Sequence, residues 1–277
     1  MSAASSKPVS NKGKRVLQVV TALVFLYLFA PIIWIVAFSF NKPTGKYNLQ
    51  WKGFTLDNWL HPFADADLTS AFVRSLQVAA VSVTLATVMG SMMALALSKY
   101  RFRGNSGVDI FLVLPLTTPE IVLGASLLTM FIDFNDAGIP TESFWDRGMF
   151  TIIIAHTLFC LSFVALTVKA RIRGFDWRLE EAAADLGAGP WRTFSRVTFP
   201  LILPGIFAAA LLSFALSIDD YIITSFNKGQ TNTMPIHIWD SFKVEFRPQV
   251  NVLASMILIV SAALLVGSSI VSSRRAK

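Results

Sequence analysis

Three carboxylates stand where carboxylates are costly. Glu120 lies ten residues into an apolar run, and Asp219 and Asp220 close another. An acidic group at mid-span costs roughly 2.5–3.5 kcal/mol on insertion scales, so it must face an interior cavity or a partner. In a cavity its chemistry is the binding of cations. Pro115 and Pro119 precede Glu120 closely and would break its helix, freeing backbone carbonyls of the kind that coordinate positive charge. Such a break is tolerated where it lines a cavity. The competing role for Glu120 is structural, as partner to His156 or to a group on a companion chain. Asp219 and Asp220 fall about 30 Å along their span, near its far mouth. Adjacent helical residues point about 100° apart, so at most one of the two faces a lumen. They attract an entering cation, cap the next helix, or are simply solvated, and these alternatives stay open.

A second constellation suits docking. Glu181-Ala182-Ala183 is followed by Gly187, and later by Val197-Thr198-Phe199-Pro200. Asp176 can cap a short helix running from Trp177 to Leu186, with Glu180 and Glu181 in the half where carboxylates complement the helix dipole. Gly187 can supply the left-handed turn that ends it. Ala182, Ala183 and Leu186 then form one small apolar face, fit for a groove on another protein. The competing reading is an amphipathic connector lying on the lipid surface. Pro190 starts a second helical piece that runs through Arg192 and Arg196 toward the next span.

No catalytic constellation is present. The sequence has no Gly-x4-Gly-Lys-Ser/Thr loop, no His-Glu-x2-His pair and no Gly-x-Ser-x-Gly turn. Its single cysteine, Cys160, lies in an apolar run and reads as a small packing residue, so no disulfide or Cys-based metal site is available. His61, His156 and His237 are scattered; His156 either bonds between helices or lines a path. Neither a catalytic residue nor a metal ligand nor a cofactor is expected. A chain without a nucleotide cradle must borrow its energy or do without.

The elements that position these residues are membrane spans. With 54% hydrophobic and 15% charged residues, the chain of 277 is too apolar for a soluble protein. Six charge-poor runs approach or exceed the roughly 20 residues that a span needs: Val16–Phe40, Ser75–Ser98, Ile110–Ile132, Met149–Val168, Val197–Ile218 and Val250–Ser273. The first is too long for a removed signal peptide and lacks its cleavage pattern. An all-α membrane protein of six transmembrane helices is therefore expected. Placing both ends inside puts 16 of the 24 Lys and Arg residues there, including those of the Glu181 segment, against 8 outside. The net charge of +7 is accounted for by this orientation signal and does not require nucleic acid. Residues 1–15 form a polar tail, 16–273 the six-span domain with its inner loop at 171–199, and 274–277 a second short tail. Trp51 and Trp59, in the outer segment 41–71, suit an interfacial position, and that segment has room for a short helix. The outer loop 133–148 carries Asp133, Asp136, Glu142 and Asp146.

The run from Gly174 through Glu181-Ala182-Ala183 to Gly187-Ala188 resembles the EAA loop of ABC-importer permeases. More narrowly, Tyr100-Arg101-Phe102-Arg103-Gly104, Thr118-Pro119-Glu120-Ile121-Val122-Leu123-Gly124 and Leu216-Ser217-Ile218-Asp219-Asp220 resemble segments of spermidine/putrescine importer permeases. The similarity covers nearly the whole chain from about residue 17. Val197 and Phe199 depart from the Ile and Leu of the general loop pattern, apolar for apolar. The resemblance implies a type I ABC-importer permease paired with a second, homologous permease. Two copies of an ATPase would sit beneath them, and an extracytoplasmic binding protein would deliver a polyamine to this inner-membrane complex. It also implies that Glu181, Ala182, Ala183 and Gly187 make the ATPase contact, so that ATP hydrolysis happens on a separate subunit. A polyamine needs carboxylates or carbonyls for its ammonium groups and apolar or aromatic surface for its methylenes, which suits Glu120, Asp219 and Asp220. Phe214 and Tyr221 lie near that aspartate pair but carry no assigned role. The competing functions are an ABC permease for iron, sulfate, molybdate or an organic ion, and a channel or carrier that needs no ATPase. An anion path would favour cationic groups or helix N-termini over acidic side chains.

Overall fold

The computed structural model describes residues 11–43, 45–100, 102–139 and 145–275. The tail residues 1–10, Arg101, Glu142 and Lys277 lie outside them. The described chain is helical, with strand pairing limited to the isolated bridges Asn41–Phe54 and Tyr47–Phe246. In order, the helices are α1 (Asn11–Phe38), α2 (Asp57–Leu60), α3 (Ala66–Lys99), α4 (Asn105–Thr117), α5 (Glu120–Asp136) and α6 (Met149–Ile172). After them come α7 (Arg178–Asp185), α8 (Pro190–Thr193), a π turn (Phe194–Thr198), α9 (Phe199–Asp219), α10 (Ile222–Asn227), α11 (Met234–Val244) and α12 (Pro248–Arg275). Among the described residues, four helices are long and apolar enough to cross a membrane, or five if the bent pair α4–α5 is one crossing. In α12, the apolar helix by that measure is Pro248–Val260.

The chain divides into two units, residues 1–66 with 241–277, and residues 67–240. In the first, α1 leaves its apolar side chains exposed along its length and packs on α12. Beyond Phe38 a knot of amides closes the unit. Asn41 Nδ2 donates to Asn48 Oδ1 at 2.6 Å and to the Gln50 carbonyl at 2.8 Å. Asn58 Nδ2 donates to the Ser39 and Asn41 carbonyls at 3.0 and 2.9 Å. Buried amides of this kind are tolerated because each finds its partners. Phe40 stacks between Phe54 and Trp59, with ring centroids 5.6 and 5.4 Å away. The expected short helix of the 41–71 segment is α2.

In the second unit α6 is the central helix, packed against α9, α4 and α10, while α5 packs on α10. Its core runs through Ala86, Phe131, Ala155, Cys160, Val164, Val168, Ile202 and Ala209. Leu97, Leu112 and Ala165 join α3, α4 and α6, and Asp109 and Lys169 form an ion pair between α4 and α6.

The expected break in the run Ile110–Ile132 is present: α4 and α5 meet at 108° across Thr118 and Pro119. The residue before a proline is pushed out of the helical region, and Thr118 is extended at φ −75°, ψ 130°. Pro115, by contrast, stays inside α4 and does not make the break. The segment after Asp220 contains α10 and α11. The fifth span is longer than its apolar run, extending through α8, the π turn and α9 as Pro190–Asp219.

Close helix approach depends on a missing side chain at Gly90. A Cβ there would lie 2.9 Å from the Val164 side chain and 3.1 Å from the Ala165 backbone nitrogen. Gly90→Val should therefore cost about 1–3 kcal/mol by overpacking, read as a lowered midpoint of thermal unfolding in detergent. Gly107→Ala, with open space at the corresponding position inside α4, should not lower that midpoint, since alanine is the better helix former.

Candidate functional site

The elbow between α6 and α9 is rooted in the core and open at its tip. Phe175 and Trp177 pack edge to face, with centroids 4.8 Å apart, against the core of the second unit. Asp176 Oδ1 accepts the Arg178 amide at 3.1 Å, which starts α7 one residue later than the expected Trp177. Glu180 and Glu181 occupy the first turn, where the helix dipole favours negative charge. At the other end Gly187 takes φ +79°, a left-handed conformation that a residue with a Cβ adopts only at a cost. Its amide donates to the Ala184 carbonyl at 2.9 Å, and the Ala188 amide to the Ala183 carbonyl at 3.0 Å. This pair satisfies the carbonyls that the helix end would otherwise orphan.

No residue of α7 is buried. Glu181, Ala182 and Gly187 are exposed and Ala183 is half-buried. Leu186 is 89% exposed and Trp191 76%, large apolar groups left uncovered at the tip. Glu180 faces the other way. Its Oε2 accepts Lys99 Nζ at 2.6 Å, from the end of α3, and its Oε1 accepts Thr198 Oγ1 at 2.5 Å, from the π turn. Partial burial disfavours the Glu180 carboxylate, but the bonds from Lys99 and Thr198 and the Lys99 charge outweigh it and hold its pKa below the ordinary value. The sequence assigned Glu180 only a dipole role. Its tertiary partners lie 81 and 18 residues away, a pairing that spacing cannot reveal.

Glu120, Asp219 and Asp220 are not brought into one cluster by any described hydrogen bond or ion pair. Glu120 is the first residue of α5, exposed at the helix break. Asp219 is the last residue of α9 and is exposed. Asp220 turns inward, with its side chain only 7% exposed. It caps α10 by accepting the Ile223 and Thr224 amides at 3.3 and 2.8 Å and the Thr224 hydroxyl at 2.8 Å. Its Oδ2 also lies 3.3 Å from His156 Nε2. The neighbouring aspartates diverge because Asp219 ends α9 while Asp220, extended at φ −67°, ψ 123°, has left the helix.

His156 is the hub of a buried polar network and makes the bonds between helices that were one of its two expected roles. Its Nδ1 is 2.8 Å from Ser217 Oγ and its Nε2 is 2.9 Å from Thr224 Oγ1. Ser217 in turn approaches Ser82 Oγ at 3.4 Å. Both ring nitrogens are engaged with α9 and α10, so the alternative pairing of His156 with Glu120 is not made. Cys160 is buried, its sulfur 3.6 Å from the Ser213 carbonyl. Phe214 packs against the core, and Tyr221 meets Trp239 with centroids 5.5 Å apart.

Comparison with known proteins agrees with this architecture. The family described as binding-protein-dependent transport system inner membrane component matches residues 86–275. The chain is 37% identical over 253 residues to the spermidine/putrescine transport system permease protein PotC of Haemophilus influenzae, spanning 91% of this chain and 94% of that one. It is 37% identical over 243 residues to the putrescine transport system permease protein PotI of Escherichia coli, spanning 87% of this chain and 84% of that one. A bacterial ABC transporter involved in the import of the acidic polysaccharide alginate has the same fold, with TM-score 0.70 at 16% identity over 95% of this chain and 96% of that one. The MetNI methionine ABC transporter, in an inward-facing conformation, gives TM-score 0.57 at 18% identity over 74% of this chain and 94% of that one. The fold is that of the type I ABC-importer permeases, and a multi-pass helical chain matched over this length belongs to the family of binding-protein-dependent transport system inner membrane components.

Proposed function

We propose that this chain is one of two homologous permease subunits of an ATP-driven polyamine importer, taking spermidine or putrescine. The observation that carries the reading is the similarity to polyamine permeases along about nine-tenths of the chain. On this reading it lies in a bacterial inner membrane with six spans and both termini in the cytoplasm, an orientation supported by the distribution of Lys and Arg. Residues 171–199 form the cytoplasmic coupling loop between the tails 1–15 and 274–277. An ATPase homodimer docks on Glu181, Ala182, Ala183 and Gly187; the exposed tip of α7 supports this, since it leaves Leu186 and Trp191 open to a partner. An extracytoplasmic binding protein delivers substrate, and the permease itself catalyses no reaction. Its task is to present different affinities in two states, because a substrate bound equally by both shifts nothing.

The path chemistry divides among the carboxylates. Glu120, at the helix break, and the exposed Asp219 are the groups that meet ammonium. Asp220 is already satisfied by His156 and by its capping bonds, so its part is structural.

Transport by the whole complex in proteoliposomes, with ATP enclosed and labelled putrescine or spermidine outside, tests these roles. Glu120→Gln removes a charge-assisted bond of about 1.5–3 kcal/mol, so uptake should fall roughly tenfold or more with the complex intact. Unchanged uptake would remove Glu120 from the path. Asp219→Asn should lower uptake at unchanged thermal stability. Asp220→Ala should instead lower stability, by about 1–3 kcal/mol for each buried group it orphans. Gly187→Val forces a β-branched residue into the left-handed region at a cost of at least roughly 1–2 kcal/mol. The ATPase should then be lost on purification or hydrolyse without transport. Full ATP-dependent uptake by that variant would sink the docking role.

A further inference from the structure

We propose that Glu180 is a positioning residue, the pivot through which displacement of the elbow reaches two spanning helices. The inference rests on the reading of residues 171–199 as the segment that an ATPase moves.

A short helix tethered only by its two connecting loops would swing on them and deliver little motion to the bundle. α7 is tethered by more than its loops. The Glu180 carboxylate spans two elements at once, taking Lys99 Nζ at 2.6 Å from the last residue of α3 and Thr198 Oγ1 at 2.5 Å from the π turn that enters α9. Its side chain is only 15% exposed, where a charge-assisted bond is weakened less by water than at an open surface. Lys99 is held from a second side, with its ammonium 5.7 Å from the centroid of the Trp177 ring, which is itself packed into the core. The next residue, Glu181, points about 100° away and is exposed. The two adjacent glutamates therefore divide the helix. Glu181 belongs to the outward face with Ala182 and Leu186, and Glu180 to the inward face. Its hydroxyl partner ends a π turn, a backbone irregularity found often at sites that do work. A push on the outer face has a direct polar route into the spans, and that route divides at Glu180 toward α3 and α9.

The test uses the assembled complex of this chain with its companion permease and ATPase, in a Cys160→Ala background. Single cysteines at the exposed positions Leu114 and Val122, on either side of the helix break, are reacted with a maleimide in nucleotide-free and ATP–vanadate-trapped states. The unmodified elbow should give labelling rates that depend on nucleotide. Glu180→Gln should retain the ATPase and its hydrolysis, with the nucleotide-dependent change reduced at least fivefold. The charge-swapped pair Lys99→Glu with Glu180→Lys should restore at least half of it, a rescue that a merely misfolded elbow would not give. An unaltered response in Glu180→Gln overturns the proposal. So does loss of the ATPase from that variant, which would make Glu180 a docking contact, and so does failure of the swapped pair to recover. A nucleotide response absent from the unmodified complex overturns it as well. Absence of putrescine and spermidine uptake, with the nucleotide response intact, would instead remove the polyamine reading alone.

Discussion

Asp220 carries a carboxylate into a bundle of apolar helices, and much of the second unit is arranged around satisfying it. A buried acid without partners is among the most costly groups a fold can hold. Here the cost is offset by two backbone amides, one hydroxyl and an imidazole, drawn from α6 and α10. The same imidazole reaches Ser217 on α9, which reaches Ser82 on α3. One polar knot thus joins four helices at the point where α9 stops and the chain turns into α10. Hydrophobic contact is non-directional and would let these helices slide over one another. Hydrogen bonds with defined geometry fix their register.

How far the sequence disclosed this depends on how local each cause is. Gly187 was legible because a helix ending in left-handed glycine is a property of a few neighbouring residues, and the two closing bonds are made as that motif requires. The apolar runs were legible because span length follows from membrane thickness. The break at Pro119 was half legible. Two prolines stood four residues apart, and only the structure separates Pro115, carried within α4, from Pro119, whose ring forces Thr118 out of the helix. Capping of the next helix by an aspartate and interhelical bonding by His156 were among the open alternatives, but the particular side chains that meet His156, Asp220 and Glu180 were not legible. Each lies on another element, and Ser82, Ser217, Thr198 and Thr224 look in sequence like ordinary small polar residues in apolar stretches.

The elbow has two faces because its adjacent glutamates cannot point the same way. Motion received at an exposed face is useful only if the opposite face is stiffly attached. Stiffness in a helix of 8 residues must come from tertiary bonds, since so short a helix is not stable alone. Phe175 and Trp177 supply packing at its root, Asp176 and Gly187 define its ends, and Glu180 connects it to the bundle. Seen this way, an uncovered Leu186 is no defect of packing. It is the surface left over once the inward face has been secured.

The same logic separates the three carboxylates proposed for the path. A group that is to bind a cation and then release it cannot already be saturated by its own protein. A fully bonded carboxylate has little left to offer a passing ammonium, and freeing it would orphan several partners at once. Asp220 is of that kind. Glu120 and Asp219 are exposed, each at a helix terminus, and neither is tied into the buried knot. Such groups can exchange water for an ammonium in one conformation and take water back in another, at small net cost in both directions. On the proposed reading the difference between the two states falls on the helices that carry them, and the break at Thr118 and Pro119 is a place for one of those helices to bend.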